Sequence, residues 1–303
     1  MYDVIIVGGG PAGLSAGLIL GRFRRSVLIC DSQNPRNAKS NAVHGFLSRD
    51  GIHPQELLKI SREQLQAYPT VEIEFQEVTD IVKSNSYFNV HFHDASMKSA
   101  RKILFATGMK DNLPDIEGME TLWGQGVFHC PYCHGWEVRD KAIAVVANGE
   151  NAVRLSMLLQ NLSSDIVVCT NGNAEISDSE HLQLDQQRIR IIETPIVCLR
   201  HQDAVLDGII FEDGRFLERE AIFVDTSQQQ RSTLPARLGC AITDHGHVEA
   251  DESGKTSVDG VFAAGDQATF RQQVLFAAAT GATAAASINF ELAQEAFTMA
   301  KTL

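Results

Sequence analysis

The chain opens on an apolar run at residues 4–7, Val-Ile-Ile-Val, which reads as a short buried strand. A glycine cluster follows. Small and apolar positions at Leu14, Ala16, Gly17 and Leu18 then recur with helical spacing through residue 24. A second apolar run covers 26–30 and stops at Asp31. Strand, tight turn, helix and strand in that order predict a βαβ unit at the start of a doubly wound sheet. Residues 53–67 pattern as an amphipathic helix, with Pro54 suited to its first turn. Short strand-like runs at 71–75, 87–92 and 100–107 then predict a meander.

After a boundary near 112–115 the opening pattern returns. An apolar run at 142–146 leads into a turn at 147–152, a helix over 152–161 and a strand at 165–169. Further short strands run to 223–224. The last segment, 260–266, is a strand ending in Gly265-Asp266, followed by an Ala-rich helix over 271–298. The expectation is an α/β protein with two Rossmann-like domains, the first split around the second: 1–114 with 246–303, and 115–245.

Composition narrows the function classes. Hydrophobic residues make up 44% and charged residues 21% of 303, the range of a folded globular chain. Lys and Arg total 26 against 38 for Asp and Glu, a formal charge of −12. That balance argues against nucleic acid and against an anionic membrane surface as partners. No apolar run approaches the about 20 residues that span a bilayer. The N-terminus lacks a basic region and cleavage site and enters a strand at once, so a cytoplasmic location is expected. Six cysteines are too few for a disulfide framework, and Cys30, Cys169, Cys198 and Cys240 read as core thiols.

Three motifs carry chemistry. Gly8-x-Gly10-Pro11-Ala12-Gly13 lies between strand and helix, and Asp31 ends the next strand 21 residues after Gly10. Glycines there permit the tight turn, the approach of a pyrophosphate and close helix–strand packing, while Asp31 is placed to accept from a ribose hydroxyl. Gly265-Asp266 ends a strand with an outward carboxylate and can equally be an ordinary loop. His129-Cys130-Pro131-Tyr132-Cys133-His134-Gly135 holds two thiols at the spacing of a small redox ring. His134 beside them is a candidate acid–base group near neutral pH. Zinc held by both cysteines with His129 and His134 is the competing reading, though the adjacent histidines make it cramped and no second CxxC exists. No metal is expected.

Together these motifs resemble the low-molecular-weight thioredoxin reductases over nearly the whole chain. The resemblance implies an enzyme, an FAD-dependent thiol–disulfide oxidoreductase, and assigns 1–114 and 246–303 to an FAD domain and 115–245 to an NAD(P)H-like domain carrying the CxxC. It implies non-covalent FAD held by Gly8, Gly10, Pro11, Ala12, Gly13, Asp31, Thr107, Gly108, Gly265 and Asp266. Asp266 falls on the ribityl chain, and Arg271, Gln272 and Gln273 at the start of the last helix fall near the isoalloxazine. It further implies a Cys130–Cys133 disulfide in exchange with the flavin, Cys133 facing the flavin and Cys130 the substrate, and a homodimer.

The chain departs from that family in three places. His134 stands where the reductases carry Asp. Ala147-x-Gly149-x-x-Ala152 lacks the first glycine of the second nucleotide turn. After the next strand comes Thr170-Asn171-Gly172-Asn173, with no counterpart to the arginines that hold the NADPH 2′-phosphate. A phosphate of about two negative charges wants arginine, so NADPH is not expected as in those enzymes. The stretch 130–137, the stretch from His44 to Gly51 and Thr170-Asn171-Gly172 are similar to the dithiol oxidases of gliotoxin and holomycin biosynthesis. In that subgroup a small dithiol reduces the enzyme, the electrons go to dioxygen, and the histidine after CxxC is the base. The expected function is therefore dithiol/disulfide exchange with FAD, fed by a dithiol, ferredoxin or a second flavin, with a small dithiol or a thioredoxin-like protein as partner. The alternative is an NAD(P)H-dependent thioredoxin or disulfide reductase. A third class, a flavin-bound redox sensor without turnover, rests only on the degraded second turn.

Overall fold

A computed structural model describes residues 1–299. The chain divides into two compact units. The outer unit comprises Met1–Ala38, Pro54–Lys110 and the chain from Gln228 onward; the central unit comprises Lys39–His53 and Asp111–Ser227. These bounds differ from the expected 1–114, 115–245 and 246–303 at 39–53, at 111–114 and at 228–245, and packing explains the two longer shifts. Residues 39–53 join the central unit because a Cβ on Gly124 would stand 2.9 Å from the Lys39 carbonyl oxygen, so the backbones touch there. Lys39 Nζ also donates to the Glu120 carbonyl at 3.0 Å. Residues 228–245 join the outer unit because Leu234 and Cys240 are buried in its core with Phe88 and Val248. Arg237 is tied to Asp80 at 2.6 Å besides.

The outer unit is built on one sheet. Val71–Glu74, Val27–Cys30, Tyr2–Val7 and Met97–Phe105 lie side by side in that order, and Val261–Ala263 also pairs with Met97–Phe105. All of these pairings are parallel. Strand Tyr2–Val7 is buried from Val4 onward, as a continuous β-branched run in a covered parallel sheet should be. The helix Pro11–Arg22 follows it, and the helix Pro54–Leu65 crosses over between the next two strands. The run at 71–75 is thus a parallel edge strand and not part of a meander: Val71 and Ile73 pack on the apolar cluster under the opening helix. The meander is Val78–Ser84, Tyr87–Phe92 and Met97–Phe105. Its first strand escapes sequence reading because a register shift between Val78 and Asp80 breaks the period-two alternation.

The terminal helix spans Val274–Met299. It starts three residues later than expected, which leaves Arg271, Gln272 and Gln273 in the loop before it. It meets the opening helix backbone to backbone, since a Cβ on Gly281 would stand 2.1 Å from the Ala12 carbonyl oxygen. No described helix is long and apolar enough to cross a membrane.

The central unit repeats the plan. Five of its strands form one sheet in the order Arg190–Ile192, Ile166–Cys169, Ile143–Val146, Ala221–Val224, Val127–Phe128. All pair in parallel. The helix Gly149–Leu159 links Ile143–Val146 to Ile166–Cys169 after the turn at Asn148. A three-stranded antiparallel sheet of Ile196–Gln202, Val205–Phe211 and Phe216–Glu218 precedes the strand Ala221–Val224. The repeat legible at residues 4 and 142 is therefore a repeat of topology.

Candidate active site

The first glycine turn has little steric choice. Gly8 has φ of +116°, and a Cβ there would stand 2.2 Å from the Ala106 carbonyl oxygen. A Cβ on Gly13 would stand 1.9 Å from the Gly8 carbonyl oxygen. Gly10 differs: its φ is −80°, and nothing lies within 4 Å of its would-be Cβ. Gly10 is also the N-cap of a 12-residue helix that begins at Pro11, has no side-chain cap and has no acid in its first turn. The turn is thus tight where it packs and open where an anion would approach the helix start. It fits a dinucleotide pyrophosphate.

Asp31 stands where expected, at the end of Val27–Cys30, but it is already engaged. Its Oδ2 accepts from Arg62 Nη2 at 2.7 Å and its Oδ1 from the Gln33 amide at 2.8 Å. A carboxylate has about four acceptor sites, so a ribose hydroxyl can still be served. Gly265, at φ +78°, brings its Cβ position within 3.0 Å of Ala12 Cβ, so the Gly265-Asp266 motif abuts the first glycine turn. Asp266 Oδ2 pairs with Arg36 Nη1 at 3.0 Å, and the same nitrogen donates to Gln272 Oε1 at 2.6 Å. Gln272 Nε2 in turn lies 3.4 Å from His247 Nε2.

Of the three residues expected near the isoalloxazine, only Gln272 joins this chain. Arg271 is exposed and lies over the Phe276 ring at 5.5 Å, and Gln273 uses its carbonyl to start the last helix. Thr107 donates through both its amide and its hydroxyl to the Oε1 of Gln267, whose amide nitrogen donates to the Phe105 carbonyl at 2.7 Å. Gly108, at φ +71°, faces open space. Arg36, Arg62, His247 and the fully buried Gln267 were not singled out from sequence. None belongs to a motif; each is found only through the long-range pairing that folding creates.

The central unit carries the thiol chemistry. Strand Val127–Phe128 delivers His129 and Cys130, and Cys130 caps a single helical turn, Pro131–His134. Cys130 and Cys133 are joined as a disulfide with Cα atoms 5.3 Å apart. The competing zinc reading finds both sulfurs bonded to each other, and among the described residues no group of three or more His, Cys, Asp or Glu is arranged around a metal position. The remaining cysteines are core residues or half-buried, and burial pushes the Cys30 and Cys169 thiols up to about 12.

His134 stacks on Phe128 with ring centroids 4.6 Å apart, and its Nε2 lies 3.1 Å from Ser40 Oγ. Its Nδ1 is buried with no hydrogen-bond partner. Burial, with His129 and His44 nearby, pushes its imidazole down to about 4. The sequence placed it near neutral pH; burial is why it does not stay there, and at pH 7 the ring is a neutral proton acceptor. His44 stands between two carboxylates, Asp50 at 3.5 Å and Glu137 at 3.3 Å. His129 stacks on Trp123.

The second glycine turn is closed where the first is open. Asn148 caps the helix Gly149–Leu159 by accepting from the Gly149 amide at 2.9 Å. The same oxygen accepts from the Glu175 amide at 2.8 Å, and Asn148 Nδ2 donates to the Asn173 carbonyl at 2.9 Å. Glu150 occupies the first helical turn. Beyond Cys169, Thr170 Oγ1 donates to the Gly172 carbonyl at 2.6 Å and Glu193 accepts from the Ala174 amide at 2.9 Å. This turn presents amides already used and carboxylates, and does not fit a doubly charged 2′-phosphate.

The chain belongs to the pyridine nucleotide-disulphide oxidoreductase family, whose model matches residues 2–300. It is an oxidoreductase with the thioredoxin reductase-type fold. It is 30% identical to the probable thioredoxin reductase of Arthroderma benhamiae, over 97% of this chain and 81% of that one. It is 30% identical to the thioredoxin reductase sirT of Leptosphaeria maculans, over 96% and 94%. Among solved structures it is similar to HlmI, with a TM-score of 0.95 and 36% identity over 99% of this chain and 95% of that one. It is also similar to the putative thioredoxin reductase TrxB of Bacillus anthracis, with a TM-score of 0.93 and 32% identity over 97% and 99%.

Two predictions follow from the geometry. Gly10→Ala keeps the unfolding free energy within about 1 kcal/mol, because space and φ allow it, yet weakens FAD retention. Gly13→Ala, which meets backbone, destabilises the fold by about 1–3 kcal/mol. Urea unfolding and flavin retention on a desalting column separate the two; equal FAD retention in Gly10→Ala and the parent contradicts the pyrophosphate assignment. For His134, the folded ring stays neutral between the unfolded value of 6.5 and about 4 while the unfolded ring takes up a proton. Stability is therefore lost as pH falls through that window. His134→Asn should show a smaller drop in urea midpoint between pH 7 and pH 5 than the parent; an equal drop contradicts the buried neutral ring.

Proposed function

We propose that the protein is an FAD-dependent dithiol/disulfide oxidoreductase in which electrons pass between the Cys130–Cys133 disulfide and FAD without NADPH as the direct donor. The observation that carries this reading is the contrast between two equivalent turns: the one at Gly10 is open to an anion and the one at Asn148 is filled by its own side chain. The absence of any basic residue in 170–173 supports it. Electrons then enter from a dithiol and leave to dioxygen, or enter from another donor such as ferredoxin or a second flavin. An NAD(P)H-dependent thioredoxin or disulfide reductase is the second reading, favoured by the retained Gly149 at φ +55° and the buried Ala152.

The residues divide the work as follows. Gly8 to Gly13 with the helix start hold the pyrophosphate, Asp31 a ribose hydroxyl and Asp266 the ribityl chain, with Arg36 on the Asp266 carboxylate and Gln272 accepting from Arg36. When bound, FAD supplies a two-electron relay. Cys130 exchanges with the substrate sulfur, Cys133 carries the electron pair onward, and His134 takes the proton that the attacking thiol must lose. The substrate is a small dithiol or disulfide, or a thioredoxin-like protein. A cytoplasmic location and a homodimer belong to the same reading and rest on the resemblance.

Cys133→Ser tests the assignment. The variant should remain yellow, since no FAD-holding residue is touched, and should lose dithiol-dependent oxygen or dye reduction. Full turnover in Cys133→Ser contradicts the redox role of the pair.

A further inference from the structure

The geometry points to Ser40 as the positioning residue that sets the tautomer of His134, so that Nδ1, and not Nε2, is the atom that accepts the proton in thiol–disulfide exchange. This rests on the function proposed above, in which His134 is the base, and adds the atom and the residue that selects it.

The hydrogen-bond ledger is short because the groups are buried. Ser40 is 8% exposed, so solvent cannot supply what the protein does not. Its hydroxyl has one proton, and that proton goes to the Ala42 carbonyl at 2.8 Å. Ser40 Oγ can then only accept from His134 Nε2 at 3.1 Å, which requires the proton on Nε2. The neutral ring consequently carries its lone pair on Nδ1, the buried nitrogen without a partner. The opposite tautomer would bury an unpaired N–H at Nδ1 and force Ser40 to choose between Nε2 and Ala42. A buried unpaired donor is the rarer and costlier defect. Stacking on Phe128 at 18° between ring planes holds the ring against rotation. The titratable groups that act on it from neighbouring elements are His129 and His44, the latter between Asp50 and Glu137. Ser40 reaches the ring from the segment 39–53, which sequence order alone separates from the cysteines but which folds into the same unit.

His134 ends the turn Pro131–His134 that Cys130 caps, so one short element carries the ring and both cysteines. The step balances. A substrate thiol attacks Cys130 Sγ, the Cys130–Cys133 bond breaks, and a substrate–Cys130 disulfide forms. The thiol proton goes to His134 Nδ1 and the electron pair stays on Cys133 as thiolate. The imidazolium and the thiolate appear together, so the new negative charge offsets the burial that disfavours the charged ring.

The test uses the oxidised FAD-loaded protein labelled with 15N-histidine. Long-range 1H–15N correlation, assigned against His134→Gln, should show His134 protonated at Nε2 and bare at Nδ1 at pH 7. A proton on Nδ1, or a doubly protonated ring, overturns the proposal whatever the kinetics. Stopped-flow reduction of the disulfide by dithiothreitol should then be slower in Ser40→Ala by on the order of tenfold, a fraction of what a positioned base contributes. Ser40→Thr, which keeps the hydroxyl, should recover most of the rate, and Ser40→Ala should show mixed tautomers. If His134→Gln slows exchange and Ser40→Ala does not, the positioning role is wrong and the base survives. If His134→Gln leaves exchange untouched, the base assignment fails and the role of Ser40 falls with it.

Discussion

Backbone contact at the first glycine turn is the constraint on which the outer unit depends. Gly13 has room for nothing beyond hydrogen against the Gly8 carbonyl, and Gly8 has none against Ala106. The same intimacy recurs where Gly281 of the last helix meets Ala12 and where Gly265 meets the Ala12 side chain. Four segments far apart in sequence therefore converge on a few ångströms of chain, and the convergence places Gly10, Thr107, Gly108 and Asp266 in one neighbourhood. A side chain at any of the crowded positions would push a strand, a helix or the Asp266 loop away from the rest. Between Gly8 and Gly13, Gly10 is the glycine left uncrowded, which is what a turn that receives a ligand requires.

The central unit carries the same fold around a differently filled turn. It has the same parallel sheet, the same strand–turn–helix order and a glycine with positive φ in the turn. Yet the turn is satisfied from within, because Asn148 supplies the acceptor that a phosphate would otherwise supply and ties residues 173 and 175 across the opening. The chemistry retained in this unit is that of the disulfide and of the imidazole beside it. That imidazole is tuned by burial and not by a carboxylate partner, so it is neutral at pH 7 and takes up a proton only where a new negative charge compensates it.

Much of this was legible in the sequence, and the reasons differ by region. The two βαβ openings could be read because each rests on consecutive residues: a β-branched run, glycines at fixed offsets, a helix of small residues. The Cys130–Cys133 ring and the histidine beside it could be read because CxxC closes locally. Edge strand Val71–Glu74 was misplaced because a four-residue run does not say which neighbour it pairs with. Val78–Ser84 was missed because a bulge breaks its alternation. The supporting shell was not legible at all. Arg36 meets Asp266 across 230 positions and Ser40 meets His134 across 94, and neither pairing leaves a periodic trace. The start of the last helix was placed too early for a similar reason: Arg271 and Gln272 are helix formers, but Gln272 is recruited by Arg36 and the helix begins after it.

The central claim is that electrons enter through the Cys130–Cys133 disulfide and not through a nicotinamide site. Anaerobic titration of the FAD-loaded protein tests it most directly, following the flavin band near about 450 nm. The account predicts no bleaching by stoichiometric NADPH or NADH, followed by bleaching with dithiothreitol. Prompt bleaching by stoichiometric NADPH would contradict it and make the closed turn at Asn148 an incidental feature of a working reductase.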